Sequence, residues 1–263
     1  MRTRQMQYLR PDEIRAELAQ TPAAYLPLGL LEWHGPHLPY GVDALNAEAV
    51  ALAAAEIAGG LVLPPVYFGT ERERDPQTLD NLGFDREAYV VGMDFPANSL
   101  PSMYAAEELF ALVVREHVRL AARMGFKVVM AISGHGATNQ IATLRRLAAE
   151  FNAAGQLRML VDIPFTVSRA GIVEVGHASR IETAIMLHLA PESVRLDALP
   201  PLPQPLRNVD YAIVDYLTFA GQPTPERTLH DEDDPRRAAA GDGRRTIEQA
   251  AAHIARRVQA ALE

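Results

Sequence analysis

Within the run EWHGPHLPYGVD, four side chains able to bind cations or move protons stand close together: Glu32, His34, His37 and Asp43. Carboxylate oxygen and imidazole nitrogen suit hard or borderline divalent ions, and an ion so held can activate water for attack on a carbonyl. Glu32 and His34 are two residues apart, so an extended backbone turns both to the same side. Pro36, Pro39 and Gly41 then stiffen and turn the chain, bringing Asp43 back at the start of the next helix. A plainer account makes Asp43 only the cap of that helix. A Glu, two His and an Asp packed between prolines and glycines favour the ligand account, with His37 on the substrate side of the loop.

Two further runs carry similar chemistry. In SGHGATN, His135 lies between two glycines that let the backbone approach a ligand and leave the ring accessible, and Asn139 is placed to touch a substrate. In GHASRIE, His177 and Glu182 could be a proton shuttle and a ligand, or an ordinary helix start in which Glu182 favours the dipole. The cluster ERERD adds Arg72 and Arg74, which could recognise hydroxyls or a carboxylate or could form a solvated face. His117 and His188 read as packing residues and His253 as solvated. His230, in the acidic run LHDEDDP, could fold over the site.

The elements that must position these groups follow from apolar periodicity. Strand-length runs at 24–31, 61–67, 127–133 and 157–163 alternate with helical patterns at 11–19, 44–58, 103–124, 140–152, 181–189 and 244–262. This predicts an α/β sandwich with a mostly parallel sheet. KVVMAIS is apolar on both strand faces, as a central strand covered by helices on each side requires. EWH and SGHG each directly follow a strand and precede a helix, which puts them on one rim of the sheet, beyond the carboxyl ends of its strands. Two stretches lack such periodicity: 70–101, read as an insertion or active-site loop, and 199–243, read as a flap or oligomer contact. Neither reads as a boundary, so a single domain over 1–263 is expected.

Composition narrows the partners. With 33 acidic against 25 basic residues and a net charge of −8, nothing here would neutralise a run of phosphates or an anionic membrane. There is no cysteine, so a metal must be held by His, Asp and Glu. No stretch approaches the ~20 apolar residues of a membrane span, and a cytoplasmic location is expected.

The chain resembles the creatininase (creatinine amidohydrolase) family. LPLGLLEWHGPHLPYGVD is similar to the family's opening motif, SGHGATN to its Gly-His-Gly loop and GHASRIET to its His-Ala-Gly-x-x-Glu-Thr segment. FPANSLP and DDPRRAAAGDGRR are weaker echoes of two more, in the family's order, so the resemblance spans roughly residues 25 to 250. It implies a three-layer α/β/α fold and a two-metal site, with Zn or Mn in most members and Fe in some. Carried over by position, Glu32 and His135 resemble ligands of one metal, His34 a ligand of the other and Asp43 the bridging carboxylate. His177 resembles the proton-transferring histidine, and Glu182 the acid near or on the second metal. Assembly as a homo-oligomer, a hexamer in many members, is also implied. Two departures matter. Ala137 stands where creatininase has a ligand Glu, so Glu182 decides whether one or two metals are bound. No tryptophan follows Trp33 to match the aromatic residues that close over creatinine. Creatinine itself is therefore not the expected substrate.

The leading expectation is hydrolysis of a cyclic amide or related C–N bond in a small polar metabolite. The runner-up opens a C–C bond of a cyclic polyol ketone, with Arg72 and Arg74 reading the hydroxyls. A non-catalytic metal-binding scaffold is the alternative of another class.

Overall fold

The computed structural model describes residues 2–81, 84–95, 98, 100–164, 177–204, 206–209, 212–214 and 234–263. The chain enters through α1 (Pro11–Gln20), crosses the sheet as β1 (Ala23–Gly29) and returns as α2 (Val42–Ala58). The predicted strand at 61–67 is two short ones, β2 (Leu61–Val62) and β3 (Val66–Tyr67). Pro64 and Pro65 lie between them, and proline can donate no ladder hydrogen bond. Both still pair with β1, opposite its two ends. The stretch 70–101, expected to be loop, contains a short helix, α3 (Pro76–Asn81). Next come α4 (Glu107–Met124), β4 (Val128–Ser133), α5 (Thr138–Ala154), β5 (Arg158–Asp162) and α6 (Arg180–Leu189). A strand pair, β6 (Arg207–Val209) and β7 (Ala212–Val214), and the long α7 (Ala240–Leu262) complete the order. Within 199–243, residues 205, 210–211 and 215–233, among them His230, lie outside the described residues.

The central sheet runs β2-β1-β4-β5, with β3 also on β1, and every pairing in it is parallel. β1 and β4 are buried along their whole length, and their alternate residues feed two separate cores. Ala23, Tyr25, Val128, Met130 and Ile132 face α2, α6 and α7. Ala24, Leu26, Leu28, Val129 and Ala131 face α4 and α5. Helices on both faces of a parallel sheet make the α/β/α sandwich that the apolar runs predicted.

One packing detail bears on the site. The start of α2 is pressed against the carboxyl ends of the two central strands. A Cβ on Gly29 would stand 2.3 Å from the Ala44 nitrogen, and one on Gly134 only 1.9 Å from the Asp43 carbonyl oxygen. Glycine at both positions lets main chain touch main chain, and the Gly134 N–H donates to the Leu28 carbonyl at 2.8 Å. Glu32, Asp43 and His135 are thereby brought to one point although they come from different loops.

Candidate metal centre

Six of the predicted residues meet at the carboxyl rim of the sheet. His34 Nε2 lies 3.1 Å from Asp43 Oδ1 and 3.8 Å from Glu182 Oε1. His135 Nδ1 lies 3.2 Å from Glu32 Oε2 and 3.3 Å from Asp43 Oδ2. His177 Nδ1 is 3.7 Å from Glu32 Oε2, and its ring centroid is 4.1 Å from that of His34. The groups fall into three sets whose ligand atoms lie within 4.8 Å of one another: Glu32, Asp43 and His135; His34, Asp43 and Glu182; Glu32, His34 and His177. Asp43 belongs to the first two sets, offering one oxygen to each. It does not cap α2, whose N-cap is Gly41.

The second contacts of these residues fix which atoms remain available. His34 Nδ1 donates to the Glu32 carbonyl at 3.0 Å, which leaves Nε2 for Asp43 and Glu182. His177 Nε2 donates to the Trp33 carbonyl, which can only accept, so the ring's lone pair sits on Nδ1 and faces Glu32. Glu182 is half committed. Its Oε2 accepts from the Ala178 N–H at 2.5 Å, and its own N–H is capped by Ser179 Oγ, while Oε1 points at His34. The helix-start and ligand accounts of Glu182 thus describe its two oxygens separately. Ala178 adopts φ +53°, a conformation that costs a non-glycine residue energy and that recurs at functional sites.

Electrostatics say what the cluster needs. Three buried carboxylates converge, and among the described residues their ion-pair partners are histidines alone, with no Lys or Arg. Burial works against charge on His34, yet Asp43 and Glu182 outweigh it and push its pKa up to about 10. His135 is likewise raised by Glu32 and Asp43 against its burial. Burial raises Glu182 to about 7 even though the charge on His34 pulls it down. Burial and His34 together lower His177 to about 4. A buried acid cluster binding protons this tightly is one in which a divalent cation can replace them. Asp43 Oδ2 and His135 Nε2 are buried without a hydrogen-bond partner. The donor set fits hard or borderline divalent ions.

The other predicted residues sit apart from this cluster or in its wall. His37 is buried, with Nε2 3.0 Å from Thr183 Oγ1, next to Glu182 in sequence; Nδ1 has no hydrogen-bond partner. Burial, then His34, lower His37 to about 3. Asn139 donates to Thr70 Oγ1 and Glu107, at 3.3 and 3.4 Å, while its own Oδ1 is unpartnered. Arg72 is held by Glu107 at 2.8 Å, and Arg74 donates to the Gly92 carbonyl at 2.8 Å. Neither arginine reaches the cluster through its described contacts.

Sequence reasoning missed Tyr104. Its hydroxyl donates to Glu32 Oε1 and accepts from the Met93 N–H at 2.8 Å, so it fixes the carboxylate and leaves Oε2 to face the histidines. No spacing could reveal a tyrosine 72 residues away in sequence. Trp33 stands between Glu32 and His34 in the ligand run. Its ring lies 24° from the plane of His177, and it packs in one buried cluster with Leu79, Val90, Met93 and Phe95 from the stretch 70–101.

The chain is similar to known proteins. A family model described as creatininase, creatinine amidohydrolase, matches residues 7–258. The mycofactocin precursor peptide peptidase of Mycolicibacterium smegmatis (strain ATCC 700084 / mc(2)155) is 28% identical over 222 residues, 78% of this chain and 76% of that one. The crystal structure of creatinine amidohydrolase (creatininase) superposes with a TM-score of 0.67 at 24% identity, covering 98% of this chain and 97% of that one. A creatininase variant of Zn–Zn type has a TM-score of 0.67 at 22% identity, covering 98% of both chains. The buried His, Glu and Asp clusters fit a binuclear metal site of that kind. With the family model matching nearly the whole length, this chain belongs to the creatininase family.

Proposed function

We propose that the protein hydrolyses an amide C–N bond, in a cyclic amide of a small polar metabolite, at a centre of two divalent ions, Zn or Mn. Glu32 and His135 would hold one ion, His34 and Glu182 the other, with Asp43 shared. The observation that carries this reading is the pair of buried ligand sets joined through the two oxygens of Asp43. Glu182 stands in the second set, which supplies the ligand that Ala137 does not. Such ions, when bound, supply a water of lowered pKa and polarise the substrate carbonyl.

The chain's own groups do the rest. His177 presents a bare Nδ1 to the cluster and is neutral near pH 7, so it can take a proton there and pass it to the leaving nitrogen. The Trp33 carbonyl and indole fix its tautomer and plane. His37 and Asn139 have unpartnered buried polar atoms with which to meet the substrate. The polyol-ketone alternative draws on Arg72 and Arg74, whose described contacts run to Glu107 and to the Gly92 carbonyl and not into the cluster. A peptide amide is the second reading, favoured by the peptidase relative.

The test is removal of metal with a chelator, restoration with Zn or Mn, and a product screen over cyclic amides and short peptides. We expect activity to vanish and return. Ring opening shows as the mass gain of one water and peptide cleavage as two fragments. Full activity after verified metal removal would sink the proposal.

Tyr104 gives a separate expectation. Tyr104→Phe removes the hydrogen bond that orients Glu32 while keeping the ring. Loss of such an outer partner typically costs ~10–100-fold in metal affinity. A metal titration showing an unchanged Kd would mean that Tyr104 only fills space.

A further inference from the structure

Gln140, in the first turn of α5, is fully buried, although glutamine is a residue that chains mostly leave exposed. Burying an amide is costly unless its polar atoms are paired. Here both are. Gln140 Oε1 accepts from the Thr70 N–H at 2.9 Å, and Nε2 donates to Ser133 Oγ at 2.9 Å. Ser133 Oγ in turn donates to the His135 carbonyl at 2.7 Å.

The polarity of this relay is fixed from both ends. A backbone N–H can only donate, so Thr70 requires the amide oxygen. A carbonyl can only accept, so His135 takes the one proton of Ser133 and leaves its hydroxyl only lone pairs for the Gln140 NH2 group. Both ends select the same orientation of the amide. The fit at the Thr70 end is also close, since a Cβ on Gly69 would stand 2.7 Å from Gln140 Oε1.

What the relay holds is a ligand loop. His135 stands between Gly134 and Gly136, and glycine leaves a backbone freest to rotate. On one side the Gly134 N–H is tied to the Leu28 carbonyl at 2.8 Å. On the other, a Cβ on Gly136 would meet no described residue within 4 Å, so packing does not hold the loop there. The His135 carbonyl lies between the two and is held by Ser133, and through it by Gln140. His135 Nδ1 stands 3.2 Å from Glu32 and 3.3 Å from Asp43 only while that backbone keeps its place.

We propose that Gln140 is a positioning residue for His135, and that it couples the root of the stretch 70–101, at Thr70, to the ligand set of Glu32, Asp43 and His135. The proposal rests on the two-ion reading above. Interior residues of that stretch already pack with Trp33, beside Glu32 and His34. Through Gln140 its first residue reaches the other ligand loop as well.

Zinc titrations of the full chain against a chromophoric chelator separate two binding events, and His135→Ala identifies the one to which His135 belongs. Gln140→Met, of similar length and without polar atoms that can hold the relay, is expected to weaken that event by ~10–100-fold and to leave the other unchanged. Ser133→Ala should do the same. The two substitutions together should lose no more than the larger single loss, because both cut one path. A merely structural role would weaken both events and make the losses add. A second readout needs no metal: in the apo protein, hydrogen exchange at the Thr70 amide should accelerate by about tenfold in Gln140→Met and stay slow in Ser133→Ala. Wild-type affinity at the His135 event in the folded variants, additive losses, or unchanged Thr70 exchange in Gln140→Met would each overturn the proposal and leave the two-ion reading standing. A wild type that binds no zinc would overturn both.

Discussion

Asp43→Asn is expected to lower kcat/KM by on the order of 10³-fold or more, about 4 kcal/mol of transition-state stabilisation, and to reduce bound metal. Asn has the same shape, so packing against Gly134 and the start of α2 is preserved and the fold should remain. What changes is the charge and one oxygen. Asp43 Oδ1 lies 3.1 Å from His34 and Oδ2 3.3 Å from His135, so no orientation of an amide leaves both ligand sets intact. One set receives an NH2 group, which donates and cannot ligate. Loss of the other ligands should be milder, because each belongs chiefly to one side of the centre. Metal analysis alongside circular dichroism checks the result. A folded variant with full metal content and full activity would show that Asp43 does not join the two sets.

The second large effect is expected from His177→Ala, and it should be of another kind. The sets built from Glu32, Asp43 and His135 and from His34, Asp43 and Glu182 are complete without His177. Metal content should therefore hold while kcat falls by roughly 10²–10⁴-fold, the usual worth of a positioned proton carrier. The pH profile adds a signature. With His34 neutral as a metal ligand, burial is what holds the His177 pKa below the ordinary histidine value. The ring can accept a proton above its pKa and cannot below it, so the acid limb that it sets should disappear in the variant. The third ligand set, which contains His177 with Glu32 and His34, supplies the contrary outcome. If metal is lost in proportion to activity, His177 is a ligand and the proton carrier must be sought elsewhere.

Much of this was legible in sequence because the chemistry is carried by short runs that directly follow strands. KVVMAIS fixes β4, and SGHG can then only emerge at its carboxyl end. The same logic put Glu32 and His34 on that rim, and the fold class followed from the spacing of apolar runs. Illegible features are those decided by contacts between distant segments. Arg72 reads as a cation that could meet a substrate or form a solvated face, and its pairing with Glu107, 35 residues on, has no local sign in the run ERERD. Tyr104 sits in SMYAAEE without any local pattern, and its meaning comes from Glu32. The division of the 61–67 strand was available in principle, since Pro64 and Pro65 are visible. Apolar periodicity starts the helix at Met103, whereas Met103 is exposed and α4 begins at Glu107.

The contact between Gly134 and the main chain of Asp43 sets the gauge of the whole centre. An added methyl would lie 1.9 Å from the Asp43 carbonyl oxygen, where ordinary contact begins at 3.4 Å, so strand and helix would have to part by about 1.5 Å. Metal–ligand distances tolerate deviations of only ~0.2 Å. The displacement that a side chain at Gly134 would force is thus several times what a metal site tolerates. The spacing that lets one carboxylate serve two ligand sets is a property of the scaffold, insulated from whatever loops are hung around its mouth. Substrate choice in such a protein can drift with those loops while the reactive core stays in calibration.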